Sequence, residues 1–319
     1  MPDSIDISIV LPTFNEEKSI IELVDHLDTV LSAREKPYEI IFVDDGSTDH
    51  SVQQIQKARE NNSSVKLIQF RRNYGKSAAL AAAFKRARGR FIITMDADLQ
   101  DDPNEIPNLV AKLEDGYDLV SGWKKVRRDP ITKRIPSRVF NFFTSKFSGL
   151  ELHDFNCGLK AYRHSVIKNL HVYGELHRYL PVIAHNHGFR VTELPVNHHK
   201  RKFGRSKYGV ARFTRGAFDL LTISFLTKYK KRPLHLFGLW GGITTFFGFI
   251  VLFYLSVQKI VYGENLSNRP LLFLGVLLFI VGIQFFSIGL LGEMITESRR
   301  DSEPYLIKEL HGWEDETEA

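Results

Sequence analysis

Cysteine is almost absent: Cys157 is the only one in 319 residues. No internal disulfide can form, so the chain carries no disulfide framework and suits a reducing compartment. Glycine is missing from Leu11 to Glu16, where a dinucleotide-binding fold would place its glycine fingerprint after the first strand. That disfavours a hydride-transferring oxidoreductase. Gly75-Lys76-Ser77 has the ending of a P-loop, but Phe70 stands where such a loop requires its earlier glycine. That disfavours a P-loop NTPase and leaves two readings of the tripeptide, a helix start near a nucleotide or a simple helix-initiating turn. Met1 to Asp6 offers neither a basic cluster nor a long apolar run, so no cleavable secretory signal is expected. No internal repeat or low-complexity tract is present.

Charge is absent from two long stretches, Leu236 to Val257 and Leu271 to Gly292. At about 1.5 Å of rise per residue, each is long enough to cross a hydrocarbon core of about 30 Å as a helix. Lys228-Tyr229-Lys230-Lys231-Arg232 precedes the first and Arg299-Arg300 follows the second, while Lys259, Glu264 and Arg269 are all the charge between them. The positive-inside rule then predicts a hairpin with both long flanks cytoplasmic. An Asn-Leu-Ser sequon begins at Asn265, in a loop too small to give it weight. The rest has a globular balance: 43% of residues are hydrophobic and 25% charged, which excludes disorder and collagen-like repeats. Lys and Arg number 43 against 37 Asp and Glu, a net +6, which favours an anionic partner.

Over the first 125 residues, β-rich runs alternate with amphipathic ones, the pattern of an α/β fold. Ile7–Leu11, Glu39–Val43, Val65–Phe70, Phe91–Met95 and Asp118–Val120 read as strands, most too apolar to have a wet face, as in a mostly parallel sheet covered by helices. Helices are predicted over Glu16–Leu31, Ser51–Glu60, Lys76–Arg86 and Pro103–Glu114, with Asp49 capping the second and Asp101 or Asp102 the last.

Ligands of open α/β sheets bind beyond the carboxyl ends of the strands. Those ends are acidic here: Asn15-Glu16-Glu17 after the first strand, Asp44-Asp45-Gly46-Ser47-Thr48-Asp49 after the second, and Asp96-Ala97-Asp98-Leu99-Gln100 after the fourth. A basic protein with carboxylates on this edge uses them for a cation, or for hydroxyls and base N–H groups. Two carboxylates two residues apart suit a hard Mg²⁺ or Mn²⁺ that bridges to a diphosphate. A lone Asp-x-Asp is more often a solvated turn. His185, His187, His198 and His199 lack a carboxylate or cysteine frame and read as surface or structural residues.

The order of motifs resembles the inverting family 2 glycosyltransferases: IVLPTFNEE, IIFVDDGSTD, RRNYGKSAAL, MDADLQDDP and VSGWK. DFNCGLKAYR at Asp154–Arg163 and RKFGRSKY at Arg201–Tyr208 are similar to the polyprenyl-phosphate branch, typified by dolichyl-phosphate mannose synthase and bactoprenol glucosyltransferase. The resemblance implies a GT-A nucleotide-sugar-binding fold followed by interfacial helices and a two-helix transmembrane hairpin. It also implies a donor pocket in which Pro12, Phe14 and Glu16 line one wall, Phe14 standing where Tyr is frequent, and Phe42, Asp44 and Asp45 meet base and ribose. Asp96, Ala97 and Asp98 would meet ribose and diphosphate, and Asp96, Asp98 and Gln100 would ligate Mg²⁺ or Mn²⁺. Arg201 and Lys207 would close over the diphosphate, and Lys124 takes the place of a frequent Arg as a phosphate contact. Asp154 is the implied catalytic base, or else a loop carboxylate capping the next turn. Lys133, Arg134, Ser137 and Arg138 would present the acceptor phosphate.

Ile135, Val139, Phe143 and Phe147 recur every four residues, with Phe140 and Phe142 broadening the stripe, so 132–147 reads as an amphipathic helix, either interfacial or packed on the catalytic domain. Phe213, Phe218, Leu221, Phe225 and Leu226 suit a second interfacial helix. The organisation expected is a cytoplasmic catalytic domain over 1–211, an interfacial helix and basic linker over 212–233, membrane helices over 234–258 and 271–293 around an outer loop at 259–270, and a cytoplasmic tail over 294–319. The function implied is transfer of one glucose- or mannose-type sugar from UDP- or GDP-sugar to undecaprenyl or dolichyl phosphate. A bacterial inner membrane is the expected location, with the endoplasmic reticulum as the eukaryotic counterpart, and no nucleic-acid partner is expected. Homo-oligomerisation is implied by the resemblance, and Gly241, Gly242, Gly248, Gly282 and Gly289 would allow close helix contact. Two rivals stand beside this reading: a non-catalytic membrane nucleotide-binding module that recruits partners or assists lipid translocation, and a processive polysaccharide synthase. The synthase lacks its Gln-x-x-Arg-Trp signature here, His177-Arg178-Tyr179 being the nearest analogue.

Overall fold

Ile9, Val10 and Leu11 are all sealed from solvent, so the strand that carries them is covered on both faces. In the computed structural model, which describes residues 5–125, 141–142, 144–146, 148–170, 172, 176–199, 202, 233–263, 265, 269–298 and 307–311, that strand is β1 (Ile7–Thr13). It pairs in parallel with β2 (Tyr38–Asp44) and β4 (Phe91–Thr94), and β2 pairs in parallel with β3 (Val65–Phe70). Ile9, Leu11, Ile40 and Phe42 face a core closed by α1 (Ile20–Ser32), α2 (Ser51–Asn61) and α4 (Ile106–Glu114). Val10, Ile41 and Val43 face the opposite layer of α3 (Lys76–Arg86), α5 (His164–Lys168) and α6 (Leu180–Asn186). Ala78, Ala79, Ala82 and Ala83 line α3, and their small side chains let it lie close on the sheet.

The sheet order is β7-β5-β6-β4-β1-β2-β3-β8. β5 (Leu119–Trp123) pairs in parallel with β7 (Val191–Pro195), but β6 (Lys160–Arg163) is antiparallel to both β4 and β5. β8 (Ile307–His311) runs antiparallel along β3. The far end of the chain thus returns to cap an edge whose N–H and C=O groups would otherwise stand open. This differs from a simple tail over 294–319.

The first helix begins at Ile20, not Glu16. Asn15 sits at φ +54°, and the amides of Asn15, Glu16 and Glu17 bond to Ser47, Ser51 and Asp49, so this stretch is committed across the sheet edge before helix can start. Asp49 accepts from Ser51 at the head of α2, and Asp102 caps the short 3₁₀ turn Pro103–Glu105 that leads into α4. At the other end of the sheet, Glu39 is buried yet fully met by Ser8, Lys66 and the Arg88 amide.

The chain divides into two compact units, Met1–Leu220 with Pro304–Ala319, and Leu221–Glu303. The second holds α7 (Pro233–Tyr262) and α8 (Pro270–Ser298). Only 11% of the apolar window in each helix is buried, and Phe246 and Phe273 stand 61% and 74% exposed, unlike the core helices of a soluble protein. Both are long and apolar enough to cross a membrane. Their seam is built on glycine: a Cβ on Gly248 would come within 2.7 Å of the Phe279 amide, and one on Gly241 within 2.8 Å of the Gly282 carbonyl. Gly241, Gly248, Gly282 and Gly289 are therefore used inside the hairpin, which removes them as a basis for association between copies; Gly242 alone of the set faces open space.

Replacing Gly282 with Leu should lower the unfolding midpoint in detergent by several degrees, because the new side chain meets Thr245 and the Gly241 carbonyl. Gly242→Leu, with nothing within 4 Å, should leave the midpoint unchanged. Equal effects would overturn this account of the seam.

Candidate functional site

Thr13 and Asp44 are register partners, so β1 and β2 end level, and Thr13 accepts the Asp45 amide at 2.8 Å. The loops that follow are stitched by Asn15, whose amide donates to Ser47 Oγ (2.9 Å) and whose Oδ1 accepts from the Thr48 amide (2.8 Å). Pro12, Phe14 and Glu16 are half-buried along this rim, where a donor wall was expected. Asp44 is buried and receives the Ser47 amide. Burial raises its carboxyl above the ordinary range, against the pull of the Ser47 bonds.

Two residues of the implied pocket are placed otherwise. Phe42 is wholly enclosed in the core, on the same face as Ile40, so no ring surface remains for a base. Asp45 spends one carboxylate oxygen on the Tyr74 amide (2.7 Å) and the other on the Gly75 amide (2.9 Å). It fastens the start of α3 to the end of β2, a structural task that the motif alone did not disclose.

After β4 the chain makes a tight turn, with Leu99 at φ +60°, the left-handed region that non-glycine residues seldom adopt. Asp98 Oδ1 receives the Gln100 amide at 3.1 Å, and the Ala97 carbonyl accepts from Ser19 Oγ at 2.6 Å. Ala97 is buried, so its carbonyl, not its side chain, is what it contributes. Asp96 is partly exposed and forms an ion pair with Lys76, the first residue of α3. This places Gly75-Lys76-Ser77 at the acidic edge. Ser77 Oγ in turn meets His177 Nδ1 at 3.0 Å, and burial drives His177 well below the usual imidazole range, toward its neutral form. Gly158 lies against the Asp96 carboxylate: a Cβ there would come within 2.7 Å of Oδ2.

Behind this turn, Asp101 accepts the Asp96 amide at 3.2 Å and pairs with Lys124 Nζ at 3.2 Å. Lys124, expected on a phosphate, is thus turned toward a buried carboxylate. His198 also reaches the cluster, its Nδ1 3.8 Å from Asp101 and its Nε2 3.4 Å from the Gln100 amide nitrogen. His199 meets Asp102 at 3.1 Å, and its own amide donates to the Gln100 carbonyl. Sequence reasoning read His198 as surface or structural and did not see its place at this turn; the signal was its position three residues before the basic RKFGRSK motif.

Asp154 is buried, and its Oδ1 receives the Asn156 amide at 3.1 Å, the turn-capping geometry. Cys157, also buried, has its thiol pushed up to about 12 by burial. Lys160 Nζ bonds to the Cys157 carbonyl, and burial pulls its ammonium down to about 8.

Asp96, Asp98 and Gln100 offer hard oxygen donors, the chemistry that Mg²⁺ or Mn²⁺ selects, and glycine at 158 lets the backbone approach the Asp96 carboxylate. Among the described residues no group of three or more His, Cys, Asp or Glu is disposed to hold a metal ion. The donor set fits a cation that takes the rest of its shell from diphosphate and water. Lys133, Arg134, Ser137, Arg138, Arg201 and Lys207 lie outside the described residues, as does the 212–227 stretch. Of the 132–147 segment only the end is described; it is helical, with Phe142 62% exposed and Asn141 and Thr144 buried.

Residues 8–170 match the profile described as Glycosyl transferase family 2. Dodecaprenyl-phosphate galacturonate synthase of Rhizobium johnstonii is 38% identical over 99% of this chain and 95% of its own length. Undecaprenyl-phosphate 4-deoxy-4-formamido-L-arabinose transferase of Shewanella sediminis is 39% identical over 91% of this chain and 86% of its own. Among solved structures, glucosyl-3-phosphoglycerate synthase from Mycobacterium tuberculosis in complex with Mn²⁺, UDP-glucose and phosphoglyceric acid aligns with a TM-score of 0.53 at 19% identity, covering 69% of this chain and 79% of that one. A mannosyltransferase from Pyrobaculum calidifontis in complex with GDP-Man and Mn²⁺ aligns at 0.51 and 17% identity, covering 95% and 80%. These likenesses carry the fold, which is GT-A.

Because folding disfavours the proton on Lys160, the unfolded chain binds it more tightly between about 8 and the ordinary lysine range. Lys160 should therefore contribute stability that rises with pH across that window, by roughly 3 kcal/mol at most, most visibly below about pH 9, above which the raised Cys157 thiol works in the opposite direction. Lys160→Met should flatten this rise in pH-dependent denaturant melts; an unchanged slope would sink the assignment.

Proposed function

This chain belongs to glycosyl transferase family 2, and we propose that it moves a single sugar from a UDP- or GDP-sugar to polyprenyl phosphate at the cytoplasmic membrane face, with anomeric inversion. One observation carries the reading: the Asp96–Gln100 turn sets hard oxygen donors at the carboxyl edge of a GT-A sheet, in a chain whose likeness to two polyprenyl-phosphate sugar transferases runs through the apolar helices. The organisation proposed is a cytoplasmic unit, a hairpin crossing a bacterial inner membrane twice, and β8 returning to the sheet.

In this reading Asp98 and Gln100 hold Mg²⁺ or Mn²⁺, with Asp96 as a further contributor. The bound cation would draw off the negative charge that grows on the departing nucleoside diphosphate. Pro12, Phe14, Glu16 and Asp44 line the nucleoside side. Arg201 and Lys207 would close over the diphosphate, and Lys133, Arg134, Ser137 and Arg138 would present the acceptor phosphate, as their motifs imply. A phosphate monoester is largely ionised near neutrality, so its oxygen attacks with little need of deprotonation. Asp154, occupied with the Asn156 amide, then serves as a loop carboxylate that shapes the wall. A glucose- or mannose-type sugar is the reading from motifs; the two relatives are named for galacturonate and 4-deoxy-4-formamido-L-arabinose, so the donor panel must span all of these.

The test is transfer of label from UDP- and GDP-sugars, uronic acid and formamido-pentose donors included, into the organic phase, by full-length protein in detergent with polyprenyl phosphate and Mg²⁺ or Mn²⁺. Chelator-sensitive transfer from one donor is expected, and Asp98→Asn should reduce it by about a hundredfold or more with the fold intact. Silence across the panel with nucleotide binding retained would favour the non-catalytic module. Full activity in Asp98→Asn would remove Asp98 from the metal shell.

A further inference from the structure

Asp101, Lys124 and His198 come from three separate segments, the turn after β4, the end of β5 and the stretch after β7, and meet with Asp101 only 2% exposed. Each has an ordinary alternative. A surface ion pair would be nearly worthless, and a lysine at the mouth of a donor site would be free for phosphate. Neither describes this cluster: the side chains of Lys124 and His198 are 15% and 6% exposed, Asp101 Oδ1 lies 3.2 Å from Lys124 Nζ and 3.8 Å from His198 Nδ1, and Asp101 Oδ2 accepts the Asp96 amide. That second bond bears on function. The Asp96 amide is where β4 gives way to the turn that carries Asp98 and Gln100, and Gly158 closes on the same two carboxylates, a Cβ there coming within 3.2 Å of Asp101 Oδ2. His198 reaches the far end of the turn, at Gln100. The cluster therefore grips both ends of a five-residue turn that already holds Leu99 in a strained conformation.

We propose that Asp101, Lys124 and His198 form a buried positioning unit that holds the Asp96–Gln100 turn in its binding shape, so that Lys124 acts through Asp101 and not by touching a phosphate. The inference rests on the turn being the cation and diphosphate site proposed above. Electrostatics point the same way: burial alone would raise the Asp101 carboxyl, yet Lys124 and His198 hold it well below its usual range, and Asp101 holds the Lys124 ammonium above its own. The 3.2 Å contact, nearly sealed from water on both sides, ties each side chain to the other's position. None of the three touches substrate in this scheme.

Lys124→Met, Asp101→Leu and the double variant test it in the full-length protein. Either single variant strands a buried charge and should lower the thermal midpoint; the double variant removes both charges with side chains of similar volume and should regain most of that loss. Three quantities are read: Mn²⁺ affinity in the presence of UDP or GDP by electron paramagnetic resonance, amide hydrogen exchange over residues 95–102, and transfer. If the unit positions the turn, each single variant weakens Mn²⁺ binding by about tenfold and the double by about the same factor, because one device is lost in every case. Exchange over the turn stays fast in the double even as its midpoint recovers. Recovery of Mn²⁺ affinity and exchange protection together with the midpoint would make the cluster merely structural and overturn the proposal. So would Lys124→Met weakening nucleotide binding while Asp101→Leu does not, which would restore Lys124 as a phosphate ligand. Hydrogen exchange needs neither donor nor metal, so a wild-type protein that transferred no sugar would defeat the proposed reaction without deciding this point.

Discussion

Carboxylates are crowded at one end of this sheet, and water is largely kept from them. Asp44, Asp45, Asp98, Asp101 and Asp154 are all buried, at the end of β2, in the loops that follow β2 and β4, and in the segment before β6. A buried carboxylate without a partner would protonate or unfold its surroundings, so the architecture of this edge follows from how each is met. Backbone amides meet most of them: Ser47 for Asp44, Tyr74 and Gly75 for Asp45, Gln100 for Asp98, Asn156 for Asp154. Each such bond also fixes a loop. Cations are kept for Asp96 and Asp101, where Lys76 and Lys124 arrive from other elements. The acidity of these loops is tolerated because each carboxylate is met, and the bonds that meet them tie the loops to one another.

The strands that build this edge were legible because they are buried on both faces. β1 to β4 are nearly continuous apolar runs, and each lies within a residue or two of its expected place. The strands that were missed are those whose sequences do not look like core. β6 carries a buried lysine between Leu159 and Ala161, and its antiparallel direction has no local signature. β7 and β8 read VTELP and IKELH, too polar and short to announce themselves, because one lies at each margin of the sheet. The delayed start of α1 was hidden for another reason. It depends on hydrogen bonds to residues about thirty positions away, such as Ser47 for Asn15.

The site shows the same division. The spacing of Asp96 and Asp98 and their position after an apolar strand were enough to mark them, since strand ends are where ligands of such sheets lie. Motif spacing could not separate residues that face the ligand from residues that hold the frame. Phe42 and Asp45 belong to the same motif as Asp44, yet one is core and the other fastens α3. Lys76 and His198 were undervalued because their partners, Asp96 and Gln100, lie 20 and 98 residues away. Glycines misled in the hairpin as well. A small residue on an apolar helix permits close approach, but only the fold says which helix approaches, and here it is the neighbour in the same chain.

On the proposed reaction the charge accounting leads further. An anionic phosphate must approach an edge rich in carboxylates, and two like charges about 4 Å apart repel by about 4 kcal/mol at an effective dielectric of 20. A free general base beside that path would add to the repulsion while removing a proton the acceptor has mostly lost. In the proposed reaction Asp154 is a loop carboxylate, its Oδ1 bonded to the Asn156 amide, and Lys124 cancels Asp101. What the nucleophile then needs is a positive surface of its own, set apart from the cation on the leaving group. Lys133, Arg134 and Arg138 are basic residues in the long stretch of sequence between β5 and β6, and in the proposed reaction they are the residues assigned to that surface. On the proposed reaction, attack and departure would then be served by different positive charges, so that neither the nucleophile nor the leaving group would neutralise the charge that the other needs.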